Sequence, residues 1–326
     1  MQQAKRSMAL LRMRSWNSAG MSTITAVALI LGIVAGKAVA AEKMSIWPEN
    51  SPELEGVEAK HIPVLFLHHG PASESKKPAV LLCPAGGYKH HSNMSEIITW
   101  LNGLGIAVYQ VKYRLPVYGY KHPAPMHDAQ RAMRVIRSNA EKWGLDTSHI
   151  GVVGFSSGGH VASTLATHYD GGQADAEDPI ERLTCRPDFV ILVEAVITMQ
   201  GPSCHFASRG RLLPNDPPTE LVDLMSNELQ VTVDTPPALL IASGQDRLVP
   251  ADNSLNFFIA LRRHNVAFSE LHFFSHGGHM YVTPEWYPFG EGWLRRLGVL
   301  PPKDGKPWPK GDDKGAWESG NYMKGE

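Results

Sequence analysis

Apolar residues arrive along this chain in two rhythms. Short, largely apolar runs lie at residues 61–67, 79–83, 106–111, 150–155, 189–193 and 238–242, with a further strand-like segment at 270–274. Such runs, bounded by Gly, Pro and polar clusters, predict strands, and the nearly uniform apolar character of most of them predicts burial on both faces. Between them the spacing changes to a helical one. Over 127–143, Ala129, Ala132, Met133, Ile136 and Ala140 fall on one face, and Gly144 ends the segment. Helices are also predicted from Ser92, as N-cap, to Leu101, and over 161–168, 253–264 and 285–297. The alternation predicts an α/β fold, a mostly parallel central sheet with helices on both faces. Residues 199–226 break the alternation, and within them only 220–225 has helical character. An insertion of that size over the C-terminal edge of a sheet forms part of a substrate cleft.

Chemistry concentrates where predicted strands end. Gly154-Phe155-Ser156-Ser157-Gly158 fits G-x-S-x-G between a strand and a helix, which is the setting of a nucleophile elbow. Small neighbours are required there because the turn is tight, and the following helix N-terminus favours developing negative charge. A serine hydroxyl needs a general base. His279, after the last predicted strand, is the candidate base, and Asp246, after the strand at 238–242, is the candidate acid that orients it. The chain order Ser156, Asp246, His279 is that of α/β-hydrolases. His276 is a rival base in the same loop, and Glu194, at the end of the strand over 189–193, is a rival acid. For an oxyanion hole, the amide of Ser157 supplies one donor, and Gly87, with Gly86 as second choice, supplies the other from Pro84-Ala85-Gly86-Gly87-Tyr88.

The 15 histidines raise the question of a metal. Adjacent pairs such as His68-His69 and His90-His91 point to opposite faces of a strand, and no H-E-x-x-H or C-x-x-C is present. The expectation is therefore no metal and no cofactor. No segment singles out a pair of facing carboxylates of the kind that glycoside hydrolysis uses.

Composition sharpens the picture at the chain's two ends. Apolar residues make up 43% and charged residues 19% of 326 residues, a globular balance. The formal charge of −1 is uneven: residues 1–40 carry five cations and no acid, leaving 26 cations against 32 acids elsewhere. A mature part that acidic predicts no nucleic-acid partner. A basic stretch ending at Arg14, an apolar run over 21–36 and Ala38-Val39-Ala40 together predict a signal peptide over 1–40. The apolar run is shorter than the ~20 residues of a membrane span, so the expectation is export, to the periplasm or beyond, with no stable membrane association after cleavage. The alternative is a retained N-terminal anchor. A catalytic domain over 41–300 and a Pro/Gly-rich flexible tail over 301–326, carrying Trp308, Trp317 and Tyr322, complete the expected organisation. Of the three cysteines, Cys83 reads as a buried thiol, while Cys185 and Cys204 are open to pairing or to remaining free.

Taken together, Pro84-Ala85-Gly86-Gly87-Tyr88, the GFSSGGH of residues 154–160, residues 244–250 and Gly277-Gly278-His279 resemble the α/β-hydrolase esterases of the acetyl-xylan-esterase and feruloyl-esterase-like group. The resemblance extends to Ser208-Arg209, Leu212-Leu213, residues 226–229 and Thr235-Pro236-Pro237, covering about residues 60–298. It implies that Ser156, Asp246 and His279 form a catalytic triad. The chain departs from that group's usual pattern at Ser157, at Glu194-Ala195 and at Met280-Tyr281, all of which bear on the cleft. The expected activity is a secreted serine esterase removing short acyl groups, O-acetyl foremost, from carbohydrate such as xylan. Its partner would be a small-molecule or polysaccharide ester. Alternatives on the same triad are a feruloyl or other small-ester carboxylesterase and a peptidase-like or lipid-ester hydrolase. A non-catalytic binding protein on the same fold is a further one.

Overall fold

The computed structural model describes residues 42–280, 284–303 and 305. The expected signal peptide, the aromatic residues of the tail and Tyr281 lie outside the described residues. Eight strands form one sheet: β1 (Glu42–Ser45), β2 (Val64–His68), β3 (Lys77–Cys83), β4 (Ala107–Lys112), β5 (Leu145–Phe155), β6 (Val190–Val193), β7 (Ala238–Ser243) and β8 (Glu270–Phe274). Their order is β1-β2-β4-β3-β5-β6-β7-β8. β2 pairs antiparallel with both β1 and β4, and every other pairing is parallel. Seven α-helices are described: α1 (Ser95–Gly103), α2 (Ala124–Ser138), α3 (Ser157–Thr167), α4 (Phe206–Leu212), α5 (Thr219–Leu224), α6 (Asp252–Arg263) and α7 (Tyr287–Arg296).

The continuous apolar runs are explained by two cores, one on each face of the sheet. Leu81, Val152, Leu192 and Leu240 face one way and pack with Met133 and Ile136 of α2, Leu165 of α3 and Phe257 of α6. Their chain neighbours Val80, Leu82, Val153, Ile191 and Ile241 face the other way and pack with Leu101 of α1 and Trp293 of α7. Alternate residues serve opposite cores, so no polar face remains on the central strands.

Several boundaries differ from the sequence expectation. α1 starts at Ser95 rather than after Ser92, and the Asn93 side chain accepts the Ser95 amide at 2.9 Å. α2 runs earlier than predicted, with Pro125 in its first turn, where a missing N–H costs nothing. Beyond its end, Trp143 stacks on Tyr109 of β4 at 4.7 Å instead of continuing the helix. α3 begins directly after Ser156, four residues before the predicted start. The short β1 and the helix α4 inside the insertion have no counterpart among the predicted elements. All three cysteines are free and buried, so Cys185 and Cys204 do not pair.

Candidate active site

Each predicted site residue sits just past the C-terminal end of a strand: Ser156 after β5, Glu194 after β6, Asp246 after β7 and His279 after β8. Parallel strands present these ends on one edge, which is where open α/β sheets hold their ligands. Ser156 has φ +51° and ψ −121°, a conformation that costs a non-glycine residue about 1–3 kcal/mol. The surrounding backbone holds it there. The Ser156 amide donates to the Val193 carbonyl at 3.1 Å, and the Ser156 carbonyl accepts from Val196 and Gly159, each at 2.9 Å. Side chains are excluded on both sides of the turn. A Cβ on Gly154 would lie 2.4 Å from the Gly158 carbonyl oxygen, and one on Gly158 would lie 2.2 Å from the Cys83 carbonyl oxygen.

The Ser156 hydroxyl is 2.8 Å from Nε2 of His279, and Nδ1 of the same ring is 2.6 Å from Oδ2 of Asp246. The Nδ1 proton donates to the carboxylate, which leaves Nε2 as the acceptor facing the hydroxyl. The other Asp246 oxygen, Oδ1, accepts the amides of Leu248 and Val249, each at 2.9 Å. Burial pushes the Asp246 carboxyl up, but the His279 hydrogen bond and those two amides outweigh it and hold the group below its ordinary value. The loop bearing His279 is pinned in turn, because the Ser243 hydroxyl at the end of β7 donates to the His276 and Gly277 carbonyls.

Both rivals occupy other positions. Nε2 of His276 pairs with Glu285 at 2.8 Å on an exposed surface. Glu194 stands closer to the site: its Oε2 lies 3.9 Å from Nδ1 of His279, beyond hydrogen-bond range.

Gly86, Gly87 and Tyr88 form a left-handed bend at the end of β3, with φ of +137°, +61° and +60°. A Cβ on Gly86 would stand 2.0 Å from the His90 carbonyl oxygen. The amides of Gly86, Gly87 and Ser157 have no acceptor among the described residues. Sequence reasoning missed three supports of this loop. The Arg211 guanidinium in α4 donates to the Gly87 carbonyl at 2.9 Å. The Tyr88 amide donates to the Ser157 hydroxyl at 3.3 Å. The Tyr88 hydroxyl donates to Nδ1 of His160 at 2.7 Å, while Nε2 of His160 donates to the Met225 carbonyl at 2.9 Å. His160 and the Ser208-Arg209 and Leu212-Leu213 pairs were visible as motif residues, but their contacts span loops far apart in sequence, which no local pattern encodes.

Donor atoms of Glu194, Asp246 and His279 lie within 4.8 Å of one another. The Nδ1–Oδ2 separation of 2.6 Å is a hydrogen bond. Two ligands of one tetrahedral zinc ion would stand about 3.4 Å apart. An open cleft of about 590 Å³, lined by residues 244–248, Gly278 and His279, adjoins the imidazole.

The BD-FAE family model matches residues 65–261, a segment that holds Ser156 and Asp246 while His279 lies beyond it. Endo-1,4-beta-xylanase B of Butyrivibrio fibrisolvens is 33% identical over 231 residues, 69% of this chain and 35% of that protein. Acetylxylan esterase of Xylanibacter ruminicola is 32% identical over 244 residues, 72% of this chain and 46% of that protein. This chain therefore spans less than half the length of either relative. Among solved structures, the acetyl ester-xyloside bifunctional hydrolase of Caldicellulosiruptor lactoaceticus superposes with a TM-score of 0.74 at 35% identity, covering 82% of this chain and all of that one. A thermophilic esterase of Thermogutta terrifontis shares the fold, with a TM-score of 0.65 at 18% identity over 81% of this chain and 95% of that one. A family match over more than half of the chain, on a sheet whose strand ends assemble serine, histidine and aspartate, makes this protein a member of the BD-FAE family with an α/β-hydrolase fold.

Proposed function

We propose that this chain is an exported serine carboxylic-ester hydrolase that removes short acyl groups, O-acetyl foremost, from carbohydrate such as xylan or its fragments. The observation that carries the reading is the continuous hydrogen-bonded line from Ser156 through His279 to Asp246, at 2.8 and 2.6 Å. In this reading Ser156 Oγ attacks the acyl carbonyl carbon while Nε2 of His279 takes its proton. The new oxyanion is stabilised by the amides of Gly87 and Ser157. The imidazolium, steadied by Asp246, then protonates the leaving sugar oxygen. The acyl group stays on Ser156 until a water, deprotonated by the same imidazole, releases it as the free acid.

The carbohydrate preference rests on the names of the relatives, and export rests on residues 1–40. Among the described residues no helix is long and apolar enough to cross a membrane. Glycosidase chemistry is less well supported. It needs two carboxylates flanking the scissile bond, whereas the side chains of Glu194 and Asp246 are 0% and 1% exposed and stand behind one imidazole.

Ser156→Ala is expected to lower kcat on p-nitrophenyl acetate by about a thousandfold or more without loss of the folded far-UV spectrum. An unchanged rate would refute the role of Ser156. Acetate release from acetylated xylan, measured beside hydrolysis of methyl ferulate, tests the acyl and alcohol preference. Faster turnover of the ferulate would favour the feruloyl alternative.

A further inference from the structure

Glu194 is a carboxylate that the triad does not use, yet its whole setting points at the triad. It follows β6 directly and takes φ +44°, a strained value for a glutamate, while its amide donates to the Ile241 carbonyl of β7 at 2.8 Å. The side chain is fully buried. Oε2 accepts the amide of Met280, the residue after His279, and lies 3.9 Å from Nδ1 of the His279 ring. Oε1 is buried without a partner among the described residues. A buried carboxylate with one oxygen unpaired is costly, and such a group persists where a positive charge forms nearby. The imidazolium that His279 becomes on taking the Ser156 proton is that charge.

We propose that Glu194 is a positioning residue, a second carboxylate that anchors the His279 loop through Met280 and stabilises the imidazolium alongside Asp246. This rests on the serine-esterase reading above. Three groups face Glu194: His279 and the Met280 amide from the loop after β8, and Asp246 from the loop after β7. Burial and the Asp246 charge push its carboxyl up to about 7, against the Met280 amide and His279, which favour the anion. The second carboxylate is therefore largely charged at pH 8 and largely neutral at pH 6. Should Asp246 be removed, Glu194 is the remaining anion within 4 Å of Nδ1 among the described residues.

The test uses the full chain and p-nitrophenyl acetate. Glu194→Gln keeps the shape and an acceptor for the Met280 amide but removes the charge. Its kcat is expected to fall about tenfold at pH 8 and only about twofold at pH 6, with KM unchanged within about twofold, because at the lower pH the wild-type group is already neutral. A purely structural role would give the same ratio at both pH values. Glu194→Asp, which keeps the charge, is expected to hold kcat at pH 8 within about threefold of wild type. In an Asp246→Ala background, the rate remaining above that of Ser156→Ala is expected to vanish when Glu194→Gln is added. A ratio that does not change with pH overturns the proposal. So does a loss in Glu194→Asp as deep as in Glu194→Gln, or an Asp246→Ala rate that Glu194→Gln leaves untouched. Full activity in Ser156→Ala would instead sink the esterase reading, so the two failures are told apart.

Discussion

The nucleophile turn depends on an absent side chain at Gly158, and restoring one tests the reasoning directly. In Gly158→Ala the new Cβ would meet the Cys83 carbonyl oxygen at 2.2 Å and that of Pro84 at 2.4 Å. Ordinary carbon–oxygen contacts lie near 3.3 Å, so about 1 Å of movement is forced between α3 and the end of β3. Both obstructing atoms are backbone and cannot rotate away. They also lead into the loop that carries Gly86 and Gly87, so any relief shifts the oxyanion donors against Ser156. Overpacking of this kind costs about 1–3 kcal/mol. For a domain of this size that lowers Tm by roughly 2–12 °C. A misplacement of about 1 Å costs about a hundredfold in rate. We expect kcat on p-nitrophenyl acetate to fall by that order, with a lower Tm by differential scanning calorimetry. Gly103→Ala at the end of α1 is the control, since its Cβ would meet nothing within 4 Å. It should raise Tm slightly, by the ~0.5–1 kcal/mol that alanine gains over glycine in a helix, and leave kcat alone. A Gly158→Ala variant with wild-type kcat would refute the claim that close packing of α3 on β3 sets the geometry of Ser156.

Two further outcomes follow from the buried histidines. Tyr88→Phe removes the 2.7 Å donor to Nδ1 of His160 and leaves that buried nitrogen only the Thr164 hydroxyl at 3.5 Å, which should cost about 1–3 kcal/mol and lower kcat through the oxyanion loop. An unchanged Tm and kcat would show that the hydroxyl supports nothing. Burial holds His91, His122 and His160 down at about 4 from the ordinary 6.5. The unfolded chain therefore binds more protons than the native one between those values, and stability present above pH 6.5 is lost as pH falls toward 4. For the fully buried His160 this amounts to about 3 kcal/mol, so the urea midpoint should drop steeply from pH 7 to 4.5. A midpoint constant over that range would contradict burial of neutral imidazoles.

Legibility in the sequence followed the range of the physics involved. The central strands could be read because burial on both faces leaves no polar position to blur the run, as in residues 150–153 and 189–193. The face of α2 could be read because Ala129, Ala132, Met133 and Ile136 meet a single core. Boundaries failed where a tertiary contact overrode the local pattern: Trp143 leaves a helical spacing to stack on Tyr109, and α3 starts at Ser157 because the turn needs its first amides there. Helix α4 was hidden because its sequence, FASRGRL, carries an internal glycine and buries only Ser208 and Leu212, which leaves no apolar period to read.

The sequence by itself determined which chemistry is available, and roughly where along the chain, because strand periodicity and the glycines around Ser156 are local properties with local causes. It offered Asp246 as the orienting acid with Glu194 as a rival at another strand end, and left Cys185 and Cys204 open to pairing or to remaining free. Only the tertiary structure decided these. Loop paths place Asp246 at 2.6 Å and Glu194 at 3.9 Å from the same nitrogen and leave the thiols unpaired. Side-chain distances across a sheet edge are set by how loops from different strands pack together, and no single segment of the chain contains that information.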